Sequence, residues 1–203
     1  MKNLTKTLFA AAVTVFALTS SVVPTFASSS AATEITSPSA PRFNRISVRG
    51  NVKVILTQGE VQSVVGISNY DASKTSVRSD GKTLFIESKE DDLVTLNVTV
   101  KDLQRVQAYD KSIVVTSNNF DVKNLQVFLY QNARAKIKTT TESLYTVVKD
   151  DAVLKLNGTS DYSTMVAENM KNMKLGDFAS QRSVSYGSVA IMEATATAMT
   201  IKK

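Results

Sequence analysis

A short internal repeat constrains the fold more than any other feature of this sequence. Five segments in its second half each open with small polar residues and continue as a run of alternating apolar and polar residues. They begin at Tyr109, Tyr130, Lys149, Glu168 and Tyr186, so that successive starts lie 18 to 21 positions apart. This period is too short for repeats of paired helices and fits one turn of a β-solenoid, in which stacked turns share a continuous apolar column. An up-and-down sandwich with evenly spaced strands is the alternative.

The rest of the chain is also patterned as strands. No proline occurs in residues 42–203, so backbone N–H groups can be paired throughout that stretch. Alternation on both sides of Gly50-Asn51 predicts two strands around a tight turn, and Asp80-Gly81 predicts a second hairpin with a type I′ turn. Leu93–Val100 reads as a further strand, and the closest approach to a helical pattern is Met165–Leu175. The predicted fold class is all-β: a β-solenoid, or right-handed β-helix-like stack of short strands, with N-terminal hairpins.

The composition excludes several kinds of chemistry. The chain of 203 residues contains no His, Cys or Trp. Histidine acid/base catalysis, thiol nucleophiles, zinc-finger sites and disulfide bonds are therefore excluded. The net charge is +6, but the basic residues are scattered and form no long run, so nucleic-acid binding is not predicted.

The N-terminus has the three-part layout of a secretory signal peptide. Lys2 and Lys6 precede an apolar stretch at residues 8–18, and Thr25-Phe26-Ala27 provides a small-residue cleavage site. An uncleaved anchor is disfavoured because a membrane-spanning helix needs about 20 apolar residues. We therefore predict a signal peptide at 1–27, a flexible linker at 28–41 and a single all-β domain at 42–203. The expected location is the periplasm, the cell surface or the extracellular space, with no transmembrane span after signal cleavage.

Acidic residues at the repeat turns are the candidates for metal binding or catalysis. Stacking would bring Asp110, Asp150 and Asp151 toward one edge, where they could bind Ca²⁺ or serve polysaccharide cleavage. Calcium needs six to eight oxygen ligands, and the turns between these carry no acid at Asn132 or Asn169. Hydrogen-bonded turns are therefore the favoured interpretation. We predict no cofactor, no metal site and no catalytic residue.

Three tyrosines form the other candidate feature. Tyr109, Tyr130 and Tyr186 occupy equivalent repeat positions and could stack as an aromatic ladder, interrupted by Lys149 and Glu168. Such a ladder can bind sugars through its ring faces, or it can simply pack between turns. Packing is favoured, and the ligand-binding residues remain unassigned.

The order of these features resembles a known family. The residues that carry the resemblance are Phe43–Gly59, then Leu84-Phe85-Ile86, then Leu103-Gln104-Arg105-Val106 at the start of the repeats. They are similar to the head GIN domain of putative auto-transporter adhesins, which are exported bacterial proteins. The resemblance implies a β-helix-like stack of short strands, export and a binding or adhesive role, and it brings no catalytic residues.

The repeats of that family are typically rich in Gly and Ser at the turn before each strand, and this chain departs from that pattern. Only Gly187 among its seven glycines falls in an aligned turn. The turns instead carry Asp or Asn, which tolerate the left-handed backbone conformation; these residues are Asp110, Asn132, Asp150, Asp151 and Asn169.

The predicted function is that of an exported, non-enzymatic, adhesin-like binding domain that acts through its solenoid surface on an unidentified surface or glycan ligand. Two alternatives stay open: a carbohydrate-active enzyme on a β-helix, and a periplasmic structural or envelope-stress component.

Overall fold

The computed structural model describes residues 33–35 and 42–187, and β-strands are the main secondary structure of these residues. The described residues contain one 3₁₀ turn, at Met170–Asn172, and no α-helix. The strands are β1 (Thr33–Glu34), β2 (Arg45–Gly50), β3 (Val52–Gln58), β4 (Ser63–Ser68), β5 (Thr75–Asp80), β6 (Thr83–Ser88), β7 (Val94–Val100), β8 (Arg105–Ala108), β9 (Ile113–Thr116), β10 (Phe120–Leu129), β11 (Arg134–Val148), β12 (Val153–Ala167), β13 (Met173–Lys174) and β14 (Phe178–Tyr186). The all-β prediction is confirmed.

Two of the predicted segments fall wholly or largely outside the described residues. These are the signal peptide at 1–27 and most of the linker at 28–41. Residues 33–35 of that linker lie along β4. β1 pairs antiparallel with β4, and the Ile35 N–H donates to the Val64 carbonyl oxygen at 2.8 Å. No helix among the described residues is long and apolar enough to span a membrane.

In the second half of the chain, parallel pairing joins each strand to the strand one repeat away. β10 pairs with β8, β11 with both β9 and β10, and β12 with β11, β13 and β14. Each residue in these pairs lies opposite one that is 19 to 21 positions away in the sequence. The register of the paired strands therefore has nearly the same period as the sequence repeat.

The described strands form one 14-stranded sheet, in the order β1-β4-β7-β3-β9-β11-β10-β8-β2-β6-β5, with β12 joining β13 and β14 to β11. We call two runs of neighbouring strands within this sheet the first and second layers. The first layer contains β6, β2, β8, the C-terminal parts of β10, β11 and β12, and β14. The second layer contains β7, β3, β9, the N-terminal parts of β11 and β12, and β13. Their inward side chains form one apolar cluster.

The hairpin predicted at Gly50-Asn51 is wrong. β2 pairs in parallel with β6 and β8, whereas β3 pairs in parallel with β7 and β9, so the two strands belong to different layers. Gly50 has a φ of +91°, and a Cβ atom there would lie 2.1 Å from the Ser88 carbonyl oxygen. Gly50 lies opposite Ser88 at the end of β2, and this close approach leaves no room for a side chain where the chain leaves the strand.

The second predicted hairpin is confirmed, but its turn is not type I′. β5 and β6 pair antiparallel with Asp80 opposite Thr83, which leaves Gly81 and Lys82 as the two central residues. A type I′ turn needs positive φ at both of them. Only Gly81 has it, with a φ of +54°.

Burial follows the alternation that the sequence displays. Leu96, Val98 and Val100 of β7 are fully buried, as the pattern predicted. In the repeats, the inward position of Leu125 is occupied on the next strand by Leu144 and then by Ser163. Each such apolar side chain contributes about 1.5–3 kcal/mol when fully buried. The outward side chains of the paired strands form matching columns across the sheet.

Candidate binding surface

The turn edge of the repeats is a ladder of hydrogen bonds. Asp110, Gln131 and Asp150 occupy successive turns with φ values of +59°, +60° and +55°. The backbone N–H of each turn donates to a side-chain oxygen of the following turn. These bonds run from Gly50 to Asp110 Oδ2 (3.2 Å), from Asp110 to Gln131 Oε1 (2.7 Å), from Gln131 to Asp150 Oδ2 (2.7 Å) and from Asp150 to Glu168 Oε2 (3.0 Å).

This ladder includes two of the three acidic residues that the sequence marked as candidates, Asp110 and Asp150. Asp110 and Asp150 do lie in one column, but the turn of Gln131 separates them and each carboxylate accepts a backbone N–H. Asp151 is exposed beside them. The described residues contain no group of three or more Asp or Glu side chains placed to hold a metal ion. The left-handed positions also differ from the expected ones, since Gln131 rather than Asn132 takes that conformation and Asn169 has a φ of −129°.

The tyrosine ladder forms at two of its three predicted positions. The rings of Tyr109 and Tyr130 stack with centroids 5.1 Å apart and planes 8° from parallel. The guanidinium carbon of Arg49 lies 4.9 Å from the Tyr109 centroid. Tyr109 is therefore in contact with a ring and a cation, an arrangement that packs the turns together.

The equivalence predicted for Tyr186 is wrong. Tyr186 pairs with Val166, two positions before the column that contains Lys149 and Glu168. The cause is the last turn: Lys174 pairs with Lys155 but Phe178 pairs with Gly158, so the offset between partners grows by one position. The alignment from sequence equated Tyr186 with Glu168, which assumed too short a turn and placed Tyr186 in the wrong column.

Burial also raises the pKa of the Tyr130 hydroxyl above its ordinary value, and the neighbouring Tyr109 adds to this shift. This shift extends, toward higher pH, the range over which the hydroxyl group stays protonated. Beside it, Arg105 lies over the Phe128 ring at 5.3 Å and donates from Nε to Gln126 Oε1 at 2.8 Å. The middle of the first layer is thus occupied by side chains that contact one another.

The open part of this layer lies further along, on β11, β12 and β14. Four of the eight large apolar or aromatic side chains exposed within the described residues cluster there. They are Tyr145 (36% exposed), Tyr162 (53%), Val184 (49%) and Tyr186 (44%). We call this set the exposed aromatic patch. Thr164 lies within it, because the register places Thr164 between Tyr145 and Val184 on neighbouring strands.

An arginine fixes one side of the exposed aromatic patch. Arg182 pairs with Tyr162 across the two strands, and its guanidinium carbon lies 5.2 Å from the Tyr162 centroid. Arg182 Nη1 also donates to the Tyr162 hydroxyl at 3.2 Å. The patch therefore combines exposed ring surfaces, tyrosine hydroxyls, a threonine hydroxyl and a positioned guanidinium. Such a surface can pack on the C–H face of a sugar ring and hydrogen-bond its hydroxyls.

Sequence reasoning did not single out Tyr145, Tyr162 or Arg182. A usable signal was present for Tyr145, because it occupies the repeat position of Arg105 and Gln126, four positions before the tyrosine ladder. Extending the repeat alignment backward across the strands would have placed it on the outward face.

These observations define a class of protein: an all-β protein whose parallel strands pair one repeat apart and which carries an exposed aromatic surface. A family profile described as "Putative auto-transporter adhesin, head GIN domain" matches residues 42–197, and the chain belongs to this family. The family resemblance is thereby confirmed. No functionally curated protein matches the chain in sequence.

Several solved structures have a similar fold. A putative adhesin from Bacteroides fragilis has a TM-score of 0.59 at 16% identity, and the match covers 77% of each chain. A putative adhesin from Parabacteroides distasonis has a TM-score of 0.55 at 10% identity, again over 77% of each chain. A putative lipid binding protein from the same species has a TM-score of 0.52 at 13% identity over the same share of each chain. At these identities the likeness concerns the fold.

Proposed function

We propose that this chain is an exported, non-enzymatic binding protein that uses the exposed aromatic patch to bind carbohydrate. The observation that carries the proposal is the clustering of three exposed tyrosines on one face of β11, β12 and β14. Large exposed apolar surfaces on folded proteins usually mark sites of interaction. Membership of a family described as putative adhesins also supports a binding function.

The architecture that we propose for this binding protein is a β-solenoid within a single domain at 42–203. Its support is the parallel register, in which strands of both layers pair with the strand one repeat away. A solenoid would hold Tyr145 and Tyr162 diagonally on neighbouring turns, and the spacing of the rings would then follow from the strand spacing of about 4.8 Å. A rigid platform of this kind binds without ordering a loop.

The non-enzymatic part of the proposal is supported by the roles of the acidic side chains. Asp110 and Asp150 accept backbone hydrogen bonds, and in the described part of the first layer no pair of carboxylates lies within the exposed aromatic patch. A general acid and a base must both reach a substrate for hydrolysis. Incubation with a panel of polysaccharides should release no reducing sugar or unsaturated product, and turnover at a rate above buffer would refute this part.

The export proposal rests on the signal-peptide layout of residues 1–27. N-terminal sequencing of the mature protein should begin at Ser28. Protease treatment of intact cells then separates two locations: loss of the protein places it outside the cell, where an adhesin can act. Loss only after the outer envelope is opened would favour a periplasmic structural role.

Binding to an oligosaccharide array tests the carbohydrate proposal. The triple variant Y145A/Y162A/Y186A should lose binding about tenfold or more, because stacked rings contribute roughly 0.5–1.5 kcal/mol each. The matched variant Y145F/Y162F/Y186F keeps the rings and should retain most of the binding. The control V61S/L93S removes exposed apolar side chains elsewhere and should change nothing. Preference for neutral lipid vesicles over every sugar on the array would refute the proposal in favour of a lipid ligand.

A further inference from the structure

The second layer carries a surface of a different character. Lys136, Lys155 and Lys174 lie opposite one another on β11, β12 and β13, and all three are exposed. Arg134 and Lys138 flank Lys136 on the same face of β11, and Lys53 lies on that face two strands away. We call these six residues the lysine face. We propose that the lysine face binds an acidic polysaccharide.

Charge repulsion is the first argument. Neighbouring strands are about 4.8 Å apart, and like charges directly opposite each other on a sheet destabilise it. Within the described residues the three ion pairs involve Lys74, Lys101 and Lys123, so none of them neutralises the lysine face. Repulsion within a column of three such lysines opposes folding, and an anionic partner would offset this electrostatic cost.

The shape of the surface is the second argument. A shallow groove of about 610 Å³ runs beside the lysine column, lined by Lys136, Lys138 and Lys155 together with Thr116, Ser117, Asn157, Gly158 and Asp177. Asp177 is the one carboxylate among these lining residues, and its Oδ2 lies 3.5 Å from Asn157 Nδ2 at the edge of the groove. Lys136, Lys138 and Lys155 supply positive charge along the groove, and the side-chain amide of Asn157 can bond sugar hydroxyls.

The choice of an acidic polysaccharide over other polyanions rests on the residues between the lysines. The outward positions beside them are Ile55, Ile113, Val115 and Val153, which are aliphatic and half-buried. Unpaired bases need aromatic side chains on which to stack, and insertion into a membrane needs exposed large apolar side chains. An extended sugar residue is about as long as the strand spacing. A carboxylate on every sugar could therefore pair with lysines on successive strands.

Two matched triple variants of the full chain test the proposal, with polygalacturonate as the probe. K136Q/K155Q/K174Q removes the column, and K82Q/K89Q/K111Q removes three exposed lysines from turns, so both lose the same charge. The column variant should bind polygalacturonate about tenfold more weakly, in line with three screened contacts of ordinary strength. The turn variant should stay within about twofold of the original chain, and binding should weaken as salt is added.

Stability and ligand choice complete the experiment. Thermal unfolding of the column variant should occur at the same temperature or higher, because repulsion has been removed. A lower unfolding temperature would assign the lysines a structural role and overturn the proposal. Equal losses in both variants, or tighter binding to duplex DNA or anionic lipid vesicles than to polygalacturonate, would also overturn it. Neutral oligosaccharide binding through the exposed aromatic patch should be unchanged in the column variant, so the two proposals fail independently.

Discussion

Replacing Gly158 with alanine is the sharpest test of the register between β11 and β12. Gly158 has a φ of +106°, and a Cβ atom added there would lie 2.0 Å from the Thr139 carbonyl oxygen and 2.9 Å from its carbon. Thr139 is its partner across the strands, one repeat earlier in the sequence. The clash is with backbone, so it cannot be relieved by rotating a side chain. The two strands would have to separate locally.

Gly81 provides the matched control. Its φ is also positive, at +54°, but a Cβ atom there would meet nothing within 4 Å. Gly81→Ala should therefore cost only the strain of a left-handed backbone, about 1–2 kcal/mol. Gly158→Ala adds a backbone overlap to that strain and should cost about 4 kcal/mol or more, a large share of the roughly 5–15 kcal/mol that typically stabilises a domain.

Urea unfolding followed by far-ultraviolet circular dichroism measures both costs. With an m value of about 1–3 kcal/mol per molar urea, Gly158→Ala should lower the midpoint by about 1.3 M or more, and Gly81→Ala by about half as much or less. A shift for Gly158→Ala no larger than that for Gly81→Ala would mean that the backbones of residues 139 and 158 are not adjacent. The parallel register, and the proposed solenoid with it, would then be wrong.

Three further predictions concern the core, the turn ladder and the pH dependence of folding. Phe120 is fully buried, so Phe120→Ala should lower the free energy of unfolding by about 3–5 kcal/mol in the same urea assay, whereas Phe120→Leu should cost clearly less. Asp150→Ala removes the acceptor for the Gln131 N–H and places alanine at a φ of +55°, which should cost about 1–3 kcal/mol; Asp150→Asn keeps an oxygen acceptor and should cost less, and equal losses would contradict the ladder. The raised pKa of Tyr130 means that the folded state holds this proton more tightly than the unfolded state. Its contribution to stability is therefore complete below the unfolded pKa near 10 and is lost as the pH rises through the folded pKa. Urea midpoints between pH 8 and 11 should fall less steeply for Tyr130→Phe, and identical slopes would refute this linkage.

The strands and their inward faces could be predicted from the sequence alone. Alternation of apolar and polar residues has a period of two and records which side of a strand is buried, so Leu96 and Val98 of β7 could be assigned without knowing their partners. The repeat also aligned Tyr109 with Tyr130, and these two rings do stack. Membership of the family followed from the same ordered features.

Which strand pairs with which was decided by the tertiary structure. Gly50-Asn51 looks like a hairpin turn locally, but β2 and β3 each pair in parallel with strands from elsewhere in the chain instead of with each other. Tyr186 lies two positions from the place that the sequence alignment gave it, because the last turn is longer than the alignment assumed. The number of residues in a turn that brings two strands into register cannot be read from the local pattern of the sequence. The exposed aromatic patch and the lysine face arise in the same way, since residues one repeat apart become neighbours only after parallel pairing has set the register. Side-chain alternation is a property of a few consecutive residues, whereas a surface column is a property of strands brought together by non-local hydrogen bonds and burial.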